Sequence, residues 1–274
     1  MSKNYWDRFS NWEEAEKSWD QEAALAETSK PIQKLKVLPN IPGIEAKTKK
    51  YLKWKSLKWM VKKDEGFRIL RRVLRNPFSY GYRYIKSLFS RQSFERDGDF
   101  YLYGLKNVDE FVRLMGRDDV VLVVGFSYCE KPHECPSGRF TPECVRDLEN
   151  PVCRQCFIGK SLHTLPQKKT IPLIIPTIHY IGNQIFDAMD AHPGKQVIFL
   201  ITACEMTLEM FGDYGNMAGV QGVGVRLDGR ICNTMRAFEL SEDGIKPGLT
   251  VLTKPTEKRV LELLATWRSL QTQS

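Results

Sequence analysis

Histidine is scarce in this chain, with four residues in 274, and no Ser/His/Asp order marks a nucleophilic triad. No pair of acids stands out as a general acid and base. The N-terminus, Met1-Ser2-Lys3-Asn4-Tyr5-Trp6-Asp7, lacks the apolar stretch of a signal peptide. The most apolar runs, residues 171–181 and 197–203, are too short, or too broken by Pro172 and Pro176, to cross a bilayer. There is no internal repeat and no low-complexity tract. Gly159-Lys160-Ser161 looks like the end of a phosphate loop, but Arg154 stands where the first glycine belongs. The glycines of residues 219–224 lack the strand–turn–helix setting of a dinucleotide fingerprint and read as close-packing positions. Secretion, membrane spanning and P-loop chemistry are therefore set aside, and a cytoplasmic location is expected.

What is present is a large enough core and an uneven charge. Apolar residues make up 42% and aromatics 11% of the chain, which argues against global disorder. Residues 1–28 carry three basic and seven acidic side chains, a net of −4. Residues 29–90 carry 17 basic and three acidic ones, a net of +14, so the overall +8 belongs to one segment. The expected organisation is an acidic amphipathic helix over 1–28, marked by Trp6, Phe9, Trp12 and Trp19, and a basic helical segment over 29–95. An α/β domain over 96–274 follows. A proline-bearing connector spans residues 31–43. Two helices are expected after it, the second placing Phe67, Leu70, Val73 and Leu74 on one face and ending at Asn76-Pro77.

Beyond residue 98 strand and helix signals alternate. Asn107 opens a short helix with Glu110 as the third residue of a capping box. Residues 120–125 form a continuous β-branched run, typical of a strand buried on both faces. Residues 171–176, 197–203 and 220–227 read as further strands. Helices follow Thr177, with Ile178, Ile181, Ile185 and Met189 at helical spacing, and Pro255, with Val260, Leu263, Leu264 and Trp267. This alternation predicts an α/β fold: a largely parallel sheet with helices on both faces, preceded by the basic helical segment.

Five of the seven cysteines fall within 28 residues: Cys129, Cys135, Cys144, Cys153 and Cys156. In a reducing compartment such a cluster points to ligands or reactive thiols rather than disulfides. Cys153-x-x-Cys156 has the spacing of two thiolates that chelate one metal from a single turn. Cys135-Pro136 is similar to cysteines that ligate iron–sulfur clusters. Cys144, in Thr141-Pro142-Glu143-Cys144, reads as a helix start that would favour its thiolate. Single buried cysteines are ordinarily small core residues. Five among Glu130, Lys131, His133, Glu134, Arg139, Arg146 and Arg154 are not in core-like surroundings. Cys204 directly follows a strand, as Cys129 does, and Cys232 follows the next. Ligands of open α/β sheets bind outside the carboxyl ends of strands, so these thiols are expected on one rim. His133 is a candidate ligand and His163 a weaker one.

Cys129 with Cys135-Pro136, then Cys153-x-x-Cys156-Phe-Ile-Gly, Ala203-Cys204-Glu205, the glycine-rich strand before residue 227 and Cys232-Asn233-Thr234 occur in an order that resembles the "domain of unknown function 116" family. The resemblance covers roughly residues 118–252. It implies a cysteine-rich, metal-dependent protein and brings no established reaction. The family carries a further cysteine three positions before the pair, where this chain has Asn150, and Cys144 is the candidate substitute.

The leading expectation is a metal or iron–sulfur protein with ligands Cys129, Cys135, Cys153 and Cys156, and Cys144 as a spare ligand or reactive thiol. Cys204 and Cys232 are further candidate ligands or a redox pair, and Cys204 a candidate nucleophile. An iron–sulfur cluster is preferred to zinc because the spacings are irregular and only one tidy pair is present. The alternative is a nucleic-acid or anionic-membrane-surface binding protein with a structural zinc, acting through residues 29–90, where Lys53-Trp54-Lys55, Lys58-Trp59 and Lys62-Lys63 interleave charge with aromatics. A docked helical layer with a solvated basic face is the plainer reading of that segment.

Overall fold

The computed structural model describes residues 4–33, 41–89 and 93–272. Most of the expected connector at 31–43 lies outside them. Twelve α-helices are described: α1 Trp12–Ser29, α2 Ala46–Lys50, α3 Leu52–Lys62, α4 Arg68–Arg75, α5 Pro77–Phe89, α6 Val108–Met115, α7 Pro151–Gln155, α8 Phe157–Thr164, α9 Ile178–Ala191, α10 Glu205–Ala218, α11 Met235–Glu242 and α12 Lys254–Thr272. The strands are β1 Glu95–Asp97, β2 Phe100–Tyr103, β3 Val120–Ser127, β4 Thr170–Ile175, β5 Gln196–Ala203, β6 Gln221–Arg226, β7 Asp228–Gly229 and β8 Thr250–Val251. None of the described helices is long and apolar enough to cross a membrane.

The main sheet runs β1-β2-β6-β5-β3-β4. β4, β3, β5 and β6 are parallel, and β2 and β1 extend the β6 edge antiparallel. The chain leaves β3 to one side for β4, then returns past it to β5 on the other. A right-handed crossover then puts the β3–β4 helix on one face and the two later helices on the other. Side-chain alternation confirms this. Val123, Phe199 and Ile201 face α9 and α10, with Ile181, Ile185 and Leu208. Leu122, Val124, Ile198 and Leu200 face α8 and α12, with Ile158, Leu162, Val260 and Trp267. The α/β architecture with helices on both faces is thus as the alternation implied. The β1–β2 hairpin is an addition: its four-residue inner strand, buried on both faces, is too short to show a period.

Local signals explain most boundaries. Thr177 caps α9 by accepting from the Tyr180 N–H at 3.1 Å. Asn107 caps α6 from the Glu110 N–H, while the Glu110 carboxylate accepts from Lys106 rather than from the cap residue, so the box is only half built. Gly222 and Gly224 are close-approach positions, as expected: an added Cβ would lie 2.3 Å from the Phe199 carbonyl and 2.5 Å from Leu208.

The two N-terminal segments dock separately. In the acidic one the α-helix begins only at Trp12, where Asn11 caps it, and Tyr5–Arg8 forms a 3-10 turn. Tyr5, Trp6, Ala15 and Trp19 make their own apolar cluster. Its acids meet cations of α7 and α8: Glu22 pairs with Arg154, and Asp20 and Glu16 lie 2.7 and 3.3 Å from Lys160. The basic segment forms four described helices, not two, because Tyr51 and Gly66 interrupt the run. Leu52, Trp59, Met60 and Ile69 join the core under α9 and α10. Asn76-Pro77 does end α4, but Pro77 then opens α5, where a missing N–H costs nothing.

One expected face is corrected. Ile69 and Val73, not the Phe67/Leu70/Leu74 row, dock α4 on the domain, because Arg72 is drawn inward over the Phe186 ring and onto Asp187 and Asp190. Phe67, Leu70 and Leu74 are left exposed.

Candidate functional site

β3 and β5 are neighbours whose onward connections diverge, so their carboxyl ends frame the crevice in which open α/β sheets bind ligands. β3 leads into the 3-10 turn Tyr128–Glu130 that carries Cys129, and β5 ends immediately before Cys204, the residue preceding α10. The same rim receives Cys232 from the segment between β7 and α11, where Thr234 caps α11 from the Ala237 N–H.

The structure divides the seven cysteines differently from the expected grouping. Cys129, Cys204 and Cys232 line one small cavity of about 30 Å³ at the rim, with Thr177, Thr202, Thr207 and Glu242. Cys135, Cys144, Cys153 and Cys156 line a second cavity, of about 20 Å³, with Lys131. Cys129, expected to be a ligand beside Cys135, Cys153 and Cys156, is therefore placed with the rim thiols. Cys144 takes its place among the four. The segment between Cys129 and α7 has to be traced in space to see this, because it has no regular element.

That segment is organised by two cations. Lys131 is 2% exposed, and its ammonium donates to the carbonyls of Gly138, Thr141 and Glu143 at 2.8, 3.1 and 2.7 Å and to the Thr141 hydroxyl at 3.0 Å. Arg139 donates to the Lys131, Cys129, Lys246 and Gly248 carbonyls, tying the loop to the chain before β8. Cys135-Pro136-Ser137-Gly138 closes as a turn, the Gly138 N–H donating to the Cys135 carbonyl at 2.9 Å. Cys144 does not start a helix, a correction with a plain cause: Lys131 takes the Thr141 and Glu143 carbonyls that a first helical turn would use. Its thiol is accordingly pushed up by burial, not down.

Cys153 and Cys156 bracket the junction of α7 and α8. Gly159 makes the junction possible, since an added Cβ would lie 2.4 Å from the Cys153 carbonyl. The glycine of the phosphate-loop look-alike thus serves close packing. Burial raises the Cys153 thiol to about 11 and Cys156 to about 12, so both are neutral thiols at pH 7 in the absence of a cation. Among the described residues no group of three or more His, Cys, Asp or Glu side chains is arranged as a metal-ion site.

At the rim the electrostatics differ. Cys204 and Cys232 line the same cavity, and their interaction lowers the Cys204 thiol and raises the Cys232 thiol. Lys246 Nζ is 3.2 Å from Cys232 Sγ and Thr207 Oγ1 is 3.3 Å from Cys204 Sγ. Burial pushes Cys129 up. Two buried acids complete the setting. Glu242, lining the cavity, accepts from the Ile178 N–H at the start of α9 and is raised to about 8 by burial. Glu130, hydrogen-bonded to Thr202 of β5, is also raised to about 8 by burial.

A larger cavity of about 550 Å³ shares Pro132 and Cys156 with the four-cysteine cavity and is also lined by Trp19, Glu130, Arg154, Phe157 and Lys160. The histidines stay outside. His133 is exposed and lines neither thiol cavity. His163 is held by the Tyr5 N–H and the Arg146 carbonyl against Trp19, and burial lowers it to about 4. Lys131, Lys246, Glu130 and Glu242 were not singled out from the sequence, which signals burial of a charge only through its neighbours in space. Comparison of the chain with protein families, curated proteins and solved structures finds no match.

Proposed function

We propose that this chain is a metal-binding α/β protein in which Cys135, Cys144, Cys153 and Cys156 hold one metal centre beside a thiol-lined crevice. The observation that carries the reading is the convergence of these four cysteines, from an irregular loop and a helix junction, on one cavity. Four thiols are the donor set of zinc and of iron–sulfur clusters. An iron–sulfur cluster is preferred, since only Cys153 and Cys156 form a tidy pair. The centre would release thiol protons on binding and would bring the loop and the α7–α8 junction together. Lys131 and Arg139 hold the loop in place for it. The cysteine order shared with the domain of unknown function 116 family supports the same reading, and membership of that family and a reducing, cytoplasmic setting are part of the proposal.

Anaerobic purification followed by iron, zinc and sulfide analysis tests it. Wild-type protein is expected to carry one centre per chain, and Cys→Ser at 135, 144, 153 or 156 to remove most of the metal. The same change at Cys129 is expected to leave it. Wild-type protein without metal would sink the proposal, and metal lost through Cys129 rather than Cys144 would sink the division of the cysteines.

A second reading concerns the basic segment, and one observation favours it. Phe78, Tyr82, Ile85 and Phe89 recur at helical spacing on α5 and are all exposed, Phe78 at 91% and Phe89 at 88%. Leu70 and Leu74 are exposed on the preceding helix α4, and Arg71, Arg75, Arg83 and Lys86 are exposed on the same two helices. The aromatics alone would serve either partner, but exposed Leu70, Leu74 and Ile85 offer a base neither a π-face nor a hydrogen bond, so this cationic helix pair suits an anionic bilayer surface better than a nucleic acid. Flotation with vesicles containing phosphatidylserine is expected to carry the full chain upward, and phosphatidylcholine vesicles are not. The double change Phe78→Ser and Phe89→Ser is expected to cut bound protein roughly tenfold. Binding to RNA instead, undiminished by those changes, would overturn this reading.

A further inference from the structure

The three rim thiols have no part in the four-cysteine centre, and their arrangement points to chemistry of their own. Cys204 ends the strand next to β3 at the switch point of the sheet, and Cys232 arrives 28 positions later from a different connection. Both nevertheless line the same small cavity at the rim. The two are not equivalent. Cys204 is 9% exposed and Cys232 2%. Cys204 stands at the N-terminus of α10, where helix N–H groups favour an anion, with the Thr207 hydroxyl at 3.3 Å. Cys232 lies deeper, near the Ser241 hydroxyl at 3.4 Å, the Ala237 carbonyl at 3.5 Å and the Lys246 ammonium at 3.2 Å. The remaining titratable groups facing the pair are Tyr128 and Cys129 from the turn after β3 and Glu242 from the end of α11, with the Tyr128 hydroxyl donating to the Ser241 carbonyl. An outer thiol at a helix start, a more deeply buried thiol on the same cavity and an ammonium beside the second are the parts of a dithiol exchange centre.

We propose that Cys204 and Cys232 form a redox-active dithiol that exchanges with the disulfide of a low-molecular-weight thiol, Cys204 attacking and Cys232 resolving. Cys204 thiolate attacks one sulfur of the disulfide R–S–S–R. A Cys204–S–S–R bond forms, the R–S–S–R bond breaks, and the leaving thiolate takes the proton of Cys232. Lys246 supports the Cys232 thiolate as it forms. Cys232 then attacks the Cys204 sulfur, closing the Cys204–Cys232 disulfide and expelling the second thiolate, which takes a proton from water. Two electrons pass from the pair to the disulfide, and two R–SH leave. Burial of both sulfurs favours a small partner over a folded protein. The lowering of the Cys204 thiol by its interaction with Cys232 and by Lys246 agrees with the attacking role. This inference uses different cysteines from the metal proposal and stands if that one fails.

Full-length wild-type protein, equilibrated in glutathione buffers of stepped oxidised-to-reduced ratio, alkylated and digested, tests it without any variant. A peptide linked through Cys204 and Cys232 is expected to appear in oxidising buffer and vanish in reducing buffer, with Cys129 alkylated throughout. Before oxidation, Cys204 is expected to react with iodoacetamide at pH 6.5 roughly tenfold faster than Cys129, and Lys246→Met to slow it. Cys204 and Cys232 remaining unlinked at every ratio, a bond to Cys129 instead, or protection of all three thiols until a metal is stripped would each overturn it.

Discussion

Replacing Lys131 with methionine is expected to cost about 4 kcal/mol of stability or more and, where the four cysteines hold the metal proposed above, to strip it. The side chain becomes one atom shorter and loses all its donors. Its ammonium now serves three main-chain carbonyls and a hydroxyl inside a loop that has no helix or strand to satisfy them. Each buried acceptor left unpaired costs roughly 1–3 kcal/mol, and the three carbonyls lose their shared donor together. The Cys135 turn and the Cys144 strand of the loop are then no longer held against Cys153 and Cys156. Urea unfolding and metal analysis of the same sample check both parts. A variant as stable as wild type with full metal would show that the loop is organised by the metal rather than by the lysine.

The second large effect is a loss of stability as pH rises from about 4.5 to about 8. Glu130 and Glu242 both bind their protons more tightly in the folded chain, with values near 8 caused by burial, than an exposed glutamate does. Below the unfolded value both states are protonated, and the favourable contribution is fully present. Between the two values the unfolded chain gives up protons that the native chain keeps, so native stability falls until the folded value is passed. At 1.36 kcal/mol per unit, the loss is up to about 5 kcal/mol for each group. Urea midpoints at pH 5 and pH 8 are expected to differ strongly in wild type. Glu130→Gln and Glu242→Gln are each expected to raise stability at pH 8 and flatten the profile, because a glutamine keeps a hydrogen-bonding oxygen without a charge to bury. Parallel wild-type and variant profiles would show that these acids are solvated.

Much of the parallel sheet was legible from residues alone. Residues 120–125 are apolar throughout and four of the six are valine because β3 is covered on both faces, and Thr177 and Asn107 state where helices begin. The rim position of Cys129 and Cys204 followed from the same reading, since a residue just past a parallel strand can only emerge at its carboxyl end. The docking face of α4 is not legible in its own period. Periodicity ranks Phe67, Leu70 and Leu74 as inward, and only the acids Asp187 and Asp190 on a distant helix decide that Arg72 turns in with Ile69 and Val73. Cys144 misled in a similar way, because a Thr-Pro-Glu opening is a helix start unless a buried cation takes its carbonyls.

The sequence by itself determined the α/β class, the strand ends and the presence of a dense thiol block. These rest on side-chain period, local capping and residue type, which act over a few positions. Only the tertiary structure decided that the seven thiols separate into a set of four and a set of three. Spacing cannot carry that information across an irregular loop, whose path is fixed by Lys131 and Arg139 reaching carbonyls up to 109 positions away. The cysteine next to β3 therefore belongs with Cys204 and Cys232, from the other strand ends, although its nearest neighbours in sequence belong to the other site.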